Sequence, residues 1–428
     1  MDSRVQPSRR AMPKLISLYT GAGGLDLGFE AAGIKTAVAV EMDSEAVATL
    51  RANRDWPVIG RDIHTVTSKE LLKRASLGVG EADVLIGGPP CQPFSKSAYW
   101  ASGDTLRLDD PRAGTLGAYF RVLRDTLPRT FLLENVPGLA YRKKNEGLES
   151  IKLAIENINR DKGTDYDFVV IKLNAADYGV PQIRERVLVI GSREGKRFRL
   201  PSPTHGPASE DELISGLTPY TTAWDAIGDL EDNYDPVLQV RGKWAALLPS
   251  IPEGQNYLWH TNRGGGLQLF GWRRRFWSFL LKLSKRLPSW TIQAQPGPAI
   301  GPFHWKNRRL SVRELCRIQT FPGDYEICGN LSSAQRQLGN AVPSALAEVL
   351  AINIRNQLLN DRVRMSLSLI PQPRLPIPSP EPLQTVPKEY RRMVSAHEDH
   401  PGTGKGYAAQ RRRESRKVSV AVNLPLLA

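Results

Sequence analysis

From Lys14 onward, short apolar runs alternate with amphipathic stretches, and this rhythm limits the fold more than any other feature. Leu15–Tyr19, Thr36–Val40, Asp83–Ile86, Thr130–Leu133, Tyr166–Leu173 and Arg186–Ile190 read as strands. Stretches from Leu25, from Asp43 to Asn53, and over Arg112–Thr126 and Leu148–Ile158 carry helical spacing. Strands separated by helices pair in parallel, because a parallel crossover needs that much chain. The pattern implies a doubly wound α/β sheet. Open sheets of this kind bind ligands beyond the carboxyl ends of their strands. The residues that follow each strand are therefore the candidates for function.

Four such positions carry clusters. Gly21-Ala22-Gly23-Gly24 follows the first strand and precedes a helix. Glycines there permit a sharp turn and close approach of a ligand. Glu41 ends the next strand, where nucleoside-binding βαβ units keep a ribose-binding acid. The spacing departs from the dinucleotide form G-x-G-x-x-G, which weakens a NAD reading and leaves a nucleoside site or a plain tight turn. Asp62 stands at the same edge, as a ligand contact or a helix N-cap. Gly87-Gly88-Pro89-Pro90-Cys91-Gln92-Pro93-Phe94-Ser95 follows Asp83–Ile86. A lone cysteine is commonly a small buried hydrophobe. In a rigid Gly/Pro loop at this edge, Cys91 is a candidate nucleophile. Glu134-Asn135-Val136 follows Phe131–Leu133, and its carboxylate is a candidate acid or a helix cap. Gln182, Arg184 and Arg186 alternate before Val187–Ile190, so they share one face of a strand. Two guanidiniums there suit a phosphate or a base carbonyl, or pair with Glu185.

The rhythm stops at Gly191. Residues 191–305 hold seven of the nine tryptophans. Arg241–Arg313 carries 13 Lys/Arg against one acid, Glu253, nearly the whole formal charge of +14. Such a block suits a polyanionic partner, or a small domain with a tryptophan core and solvated cations. The three cysteines, Cys91, Cys316 and Cys328, form no C-x-x-C pair and are odd in number. That argues against a disulfide framework and a structural zinc, so no metal is expected and a reducing cytoplasm fits. No run approaches the roughly 18 apolar residues of a membrane span. Residues 1–13 read as a flexible leader without a secretory signal. Helical pattern returns at Leu310–Gln319 and from Ser344 to Leu359. Pro371–Pro387 is proline-rich and Arg411–Arg413 basic, so 361–428 is expected to be a disordered tail. Removal of 371–428 is expected to leave sequence specificity in place and to weaken DNA binding.

Taken in order, these clusters resemble the DNA (cytosine-5) methyltransferase family of the bacterial restriction–modification type. Arg309-Leu310-Ser311-Val312-Arg313-Glu314 through Arg317-Ile318-Gln319-Thr320-Phe321-Pro322, and Gln337-Leu338-Gly339-Asn340-Ala341-Val342-Pro343, resemble two further motifs of that family. The resemblance spans roughly 14–360 and is weakest over 191–305. It implies a doubly wound, Rossmann-like methyltransferase sheet with a smaller inserted target-recognition domain. The catalytic domain would then cover 14–190 and 306–360, and the insert 191–305.

The resemblance also implies roles. S-adenosylmethionine would be the methyl donor. Tyr19 would pack on its adenine, Gly21 and Gly23 line its methionine part, and Glu41 take the ribose hydroxyls. Met42, Asp62 and Ile63 would border the adenine, and Pro90, Leu116 and Asn340 complete the pocket. Cys91 would add to C6 of cytosine, since a thiolate there makes C5 enamine-like. Glu134 would bond N3 and the exocyclic amine, Arg186 would bond O2, and Arg184 would orient the site. The base must leave the stack, so Phe94–Pro111 is expected to close over it. The partner would be double-stranded DNA, bound by a monomer, with any cognate restriction endonuclease acting separately. Two alternatives compete: the tRNA-methylating branch of the same family, and a catalytically silent DNA-binding protein.

Overall fold

The computed structural model describes residues 12–90, 114–136, 146–207, 216–232, 234–271 and 277–394. The strands are β1 (Lys14–Leu18), β2 (Lys35–Val40), β3 (Val58–Ile59), β4 (Val84–Gly87), β5 (Thr130–Asn135), β6 (Asp167–Asn174), β7 (Gln182–Ile183) and β8 (Glu185–Ser192). The main sheet runs β3-β2-β1-β4-β5-β8-β6. Its first five strands pair in parallel, and β8 lies antiparallel between β5 and β6. The sequence rhythm found six of these eight strands; β3 and β7, two residues each, are too short to show a period. The rhythm did not show that β8 reverses, because an apolar run reads as a strand in either direction.

Period-two alternation sends successive side chains to opposite faces, and each face has its own core. Ile16, Leu18, Leu85, Phe131, Leu133 and Val189 pack on one side. Leu15, Val84, Ile86, Leu132, Leu188 and Ile190 pack on the other. Helices α1 (Gly24–Ala31), α2 (Ser44–Asn53), α3 (Ser68–Ala75), α4 (Gly114–Thr126) and α5 (Glu146–Lys162) connect the strands. Later come α6 (Ala223–Ile227), α7 (Val312–Ile318), α8 (Leu331–Asn340) and α9 (Ser344–Gln357). A methyl group at Gly28 would sit 2.3 Å from the Ser344 carbonyl, so only glycine lets α1 lie this close to α9. That contact brings the chain's late motifs onto the first βα unit.

The composition break at Gly191 is not a packing boundary. Phe198 belongs to one sheet core. Trp224, Ile227 and Trp305 join Leu27, Leu315, Phe321 and Leu338 in a third core. A separate aromatic core forms from Val240, Leu247, Ile251, Leu269, Leu280 and Phe303, with Trp244, Phe270 and Phe279 against it. The separately packed lobe therefore spans about 240–303. The tryptophans serve different units, which composition alone does not distinguish.

The disordered tail expected after residue 360 is corrected for 361–394. This stretch is extended to Pro387, as its prolines dictate, and ends in the one-turn helix Lys388–Arg391, but it is packed. Val363, Leu367 and Ile370 lie on a sheet core, and Tyr390 is buried in the aromatic lobe. Proline fixes φ and so lowers the entropy lost on docking, which lets an extended segment hold a fixed path. Residues 395–428, with Arg411–Arg413, and residues 1–11 lie outside the described residues.

Candidate active site

The first βα turn is built by three left-handed residues, with Gly21 at φ 57° in the middle. Tyr19 leaves β1 at φ 55°, a region costly for a non-glycine residue, and Gly23 caps α1 at φ 85°. The Tyr19 hydroxyl donates to the Thr115 carbonyl at 2.6 Å, and burial, with Asp62 nearby, pushes its phenol well above the usual range. Beside Gly21 the space is open: a methyl group there would meet no atom within 4 Å. Glu41 holds the turn, accepting from Gly21 N–H at 2.7 Å and from the Met42 and Asp43 N–H groups at 2.8 Å each. Met42 is 68% exposed. The chain thus offers a concave glycine turn, a fixed carboxylate and an exposed thioether at one strand edge. Such a donor set suits a nucleoside with a polar tail.

Asp62 serves as an N-cap, accepting from the His64 N–H at 3.0 Å and lying 2.8 Å from His64 Nδ1. Those bonds hold its carboxyl below the usual carboxylate range. Ile63 is buried and its carbonyl accepts from Arg121 at 2.8 Å. Arg121 is thus a support that reading the sequence missed, since an arginine within an amphipathic helix carries no motif signal. Leu116 is half-buried at the start of α4, and Pro90 and Asn340 are exposed.

The second half of the site lies at the ends of β4, β5 and β8. A methyl group at Gly88 would sit 3.0 Å from Glu134 Oε2, so the glycine loop lies directly on that carboxylate. Arg186 Nε stands 2.5 Å from Glu134 Oε1. Both side chains are about nine-tenths buried. Arg184 is wholly buried. It donates to Gln182 Oε1 at 3.2 Å and to the carbonyls of Ile292 at 3.3 Å, Gly339 at 2.8 Å and Ala341 at 2.7 Å. Burial, then the neighbouring Arg186, push its guanidinium below the usual arginine range, and Glu134 opposes them. Arg184 therefore clamps the backbone on both sides of Asn340 and does not pair with Glu185, which binds Lys172 at 2.8 Å. Gln319 adds to this network, accepting from Gln182 and donating to the Leu338 carbonyl.

Cys91 and the Phe94–Pro111 loop lie outside the described residues. Of the remaining cysteines, Cys316 is buried and its thiol is pushed up to about 12 by burial, which makes it a poor nucleophile. Among the described residues, no group of three or more His, Cys, Asp or Glu side chains could hold a metal ion. No described helix is long and apolar enough to cross a membrane.

The basic block is less available than its count suggests. Lys285, 1% exposed, pairs with Glu253 at 2.8 Å and Glu381 at 2.9 Å. Arg308 forms a two-point pair with Glu314. Lys282 is buried, and Lys306 meets Glu381 at 3.1 Å. Arg241, Lys243, Arg286 and Arg313 remain exposed.

Known proteins agree with this architecture. Residues 13–356 match the model of the C-5 cytosine-specific DNA methylases. The chain is 40% identical over 369 residues to Type II methyltransferase M.SacI of Streptomyces achromogenes, covering 80% of this chain and 93% of that protein. It is 45% identical over 224 residues to M.AquIA of Picosynechococcus sp., covering 51% and 88%. Among solved structures, a DNA modification methyltransferase from an E. coli prophage superposes with a TM-score of 0.56 at 22% identity, covering 82% and 100%. The Spodoptera frugiperda DNMT2 mutant gives 0.53 at 18%, covering 80% and 99%. The chain belongs to the C-5 cytosine-specific DNA methylase family and is a DNA (cytosine-5) methyltransferase.

Proposed function

We propose that the work of this reaction is divided among Cys91, Glu134, Arg186 and Arg184, at a site that takes a single extruded cytosine. The observation that carries this reading is the meeting of Gly88, Glu134 and Arg186 at one strand edge. S-adenosylmethionine, the donor implied by the family, supplies an electrophilic methyl group when bound. The open space at Gly21 and the fixed Glu41 carboxylate support that ligand. Gly23, Tyr19, Met42, Asp62, Ile63, Pro90, Leu116 and Asn340 would complete its contacts.

Cytosine C5 is a weak nucleophile while the ring stays aromatic. The Cys91 thiolate forms a bond to C6, which moves electron density to C5 and N3. Glu134 holds the N3 proton and the exocyclic amine as that charge develops. Arg186 donates toward O2. Once C5 carries the methyl group, loss of its proton restores the ring and breaks the sulfur–C6 bond. Arg184 is a positioning residue, acting through the backbone around Asn340. The exposed cations of the 240–303 lobe would neutralise phosphates while other lobe side chains read bases.

The Type II names of the relatives support a role in marking host DNA in a restriction–modification system, in a bacterial cytoplasm; the chain would act there as a monomer. The test is tritium transfer from labelled donor to unmethylated duplex DNA and to tRNA. Label in C5 of duplex cytosine is expected. Label in tRNA alone would move the chain to the RNA branch, and DNA binding with no transfer to either would make it a silent binder.

A further inference from the structure

The aromatic core of the 240–303 lobe contains no residue of the catalytic sheet. Among the described residues, the side chains it draws from elsewhere are Val386, Tyr390 and Met393. They end an extended segment that begins on the far larger core of the sheet. At its start, Glu348 on α9, 1% exposed, accepts from the Ser368 N–H at 2.8 Å and the Ser368 hydroxyl at 2.7 Å. Farther on, the Arg374 N–H donates to Asp225 at 2.7 Å, and its guanidinium reaches Asp229 at 3.1 Å. The segment then crosses to the lobe. Lys285 Nζ donates to Glu253, to the Ser379 carbonyl at 3.1 Å and to Glu381. A buried ammonium needs all its donors met, and two of these three acceptors come from the segment. Finally Tyr390 stacks on Trp244 with 5.9 Å between ring centres and donates its hydroxyl to the Lys243 carbonyl at 2.8 Å.

Elsewhere the lobe meets the catalytic part along its 283–294 edge, where Ser289–Trp290 pairs with β7, Leu283 and Ile292 enter the third core, and the Ile292 and Gln293 carbonyls accept from Arg184 and Gln335. Attachment along one edge leaves the lobe's tilt free, and a second attachment at the lobe's own core removes that freedom. We propose that residues 363–394 are a positioning strap for target recognition. Glu381, acting through Lys285, and Tyr390, acting through Trp244, fix the lobe's angle so that DNA meets lobe and catalytic site in register. This rests on the reading of the lobe as the DNA-recognition element. It reverses the expectation that the segment is dispensable for specificity.

The experiment uses the full chain carrying Glu381→Gln, and separately Glu381→Ala with Tyr390→Ala. Initial rates are measured on unmethylated phage DNA with tritiated S-adenosylmethionine, alongside S-adenosylhomocysteine binding and hydrogen exchange. For the double variant, KM for DNA should rise about tenfold, as loss of one or two hydrogen bonds would give. Its kcat should stay within about twofold and its S-adenosylhomocysteine affinity unchanged, because the interaction lies outside the reacting groups. Amides of 244–303 should exchange faster and those of 14–40 unchanged. Unchanged KM, or a fall in kcat alone, overturns the proposal. Should the double variant not fold, Glu381→Gln decides: a rise in KM of about threefold supports the strap, and wild-type KM rejects it. A wild-type chain that methylates no DNA would instead defeat the functional reading, and hydrogen exchange would still report whether the strap holds the lobe.

Discussion

Arg186 Nε lies 2.5 Å from Glu134 Oε1, with both side chains about nine-tenths buried. A carboxylate that holds a guanidinium this closely fixes the orientation of its planar fork. In the proposed mechanism the fork's remaining donors turn toward O2 of the extruded base, and Glu134 keeps an oxygen for N3.

Glu134→Gln is therefore expected to lower kcat by about 10²-fold or more, with KM for DNA little changed, because it removes a proton-holding group and keeps shape. Arg186→Lys should lower kcat in the same way, since one ammonium does not reproduce the guanidinium's geometry. Single-turnover tritium transfer at saturating DNA measures both. Wild-type kcat in Glu134→Gln would remove that residue from the chemistry.

Arg184→Met should act differently. It leaves the carbonyls of Ile292, Gly339 and Ala341 without their donor, at a cost of about 2–4 kcal/mol. The expected outcome is a lower melting temperature together with weaker S-adenosylhomocysteine binding, because Asn340 lies between the clamped carbonyls. Calorimetry and thermal melts check it. Unchanged cofactor affinity would separate Arg184 from the pocket.

The strand rhythm and the glycine turn were legible because local rules dictate them. Leu15–Tyr19, Thr36–Val40 and Thr130–Leu133 sit within one or two residues of β1, β2 and β5. The candidate residues after those strands converge because the sheet places their ends together. Arg121, Gln319 and the partners of Arg184 were not legible, because each bridges segments far apart in sequence. For the same reason the basic block misled: Lys285 and Arg308 look like phosphate ligands in a linear count and are buried ion pairs in space. The proline-rich segment read as loose because its contacts are almost all long-range.

Asp26 gives a pH-dependent test. It is wholly buried, and burial pushes its carboxyl from 3.8 up to about 7, against hydrogen bonds from Ser17 at 2.9 Å and Thr36 at 3.2 Å. The folded state binds this proton more tightly than the unfolded chain. Its stabilising contribution is therefore complete below about pH 4 and lost as pH rises through about 7. Asp26→Asn mimics the protonated form. It should be more stable than wild type at pH 8, by on the order of 4 kcal/mol, and the gap should close toward pH 4. A gap independent of pH would contradict the assignment.

DNA affinity should follow the exposed cations and not the block's total. A plot of log K against log salt should have a slope of about −4 to −6, compared with about −12 if all 13 cations of Arg241–Arg313 met phosphates. Filter binding between low and moderate salt measures this. A slope near zero would take the lobe off the DNA.

In the proposed mechanism Cys91 bonds transiently to C6 of the target cytosine. A duplex with 5-fluorocytosine at the target traps that bond, because the fluorine blocks the final elimination. With donor present, an SDS-stable complex is expected whose peptide map carries the modified base on Cys91. The adduct should be absent in Cys91→Ser. Modified base on any other residue, or an undiminished adduct in Cys91→Ser, would contradict it.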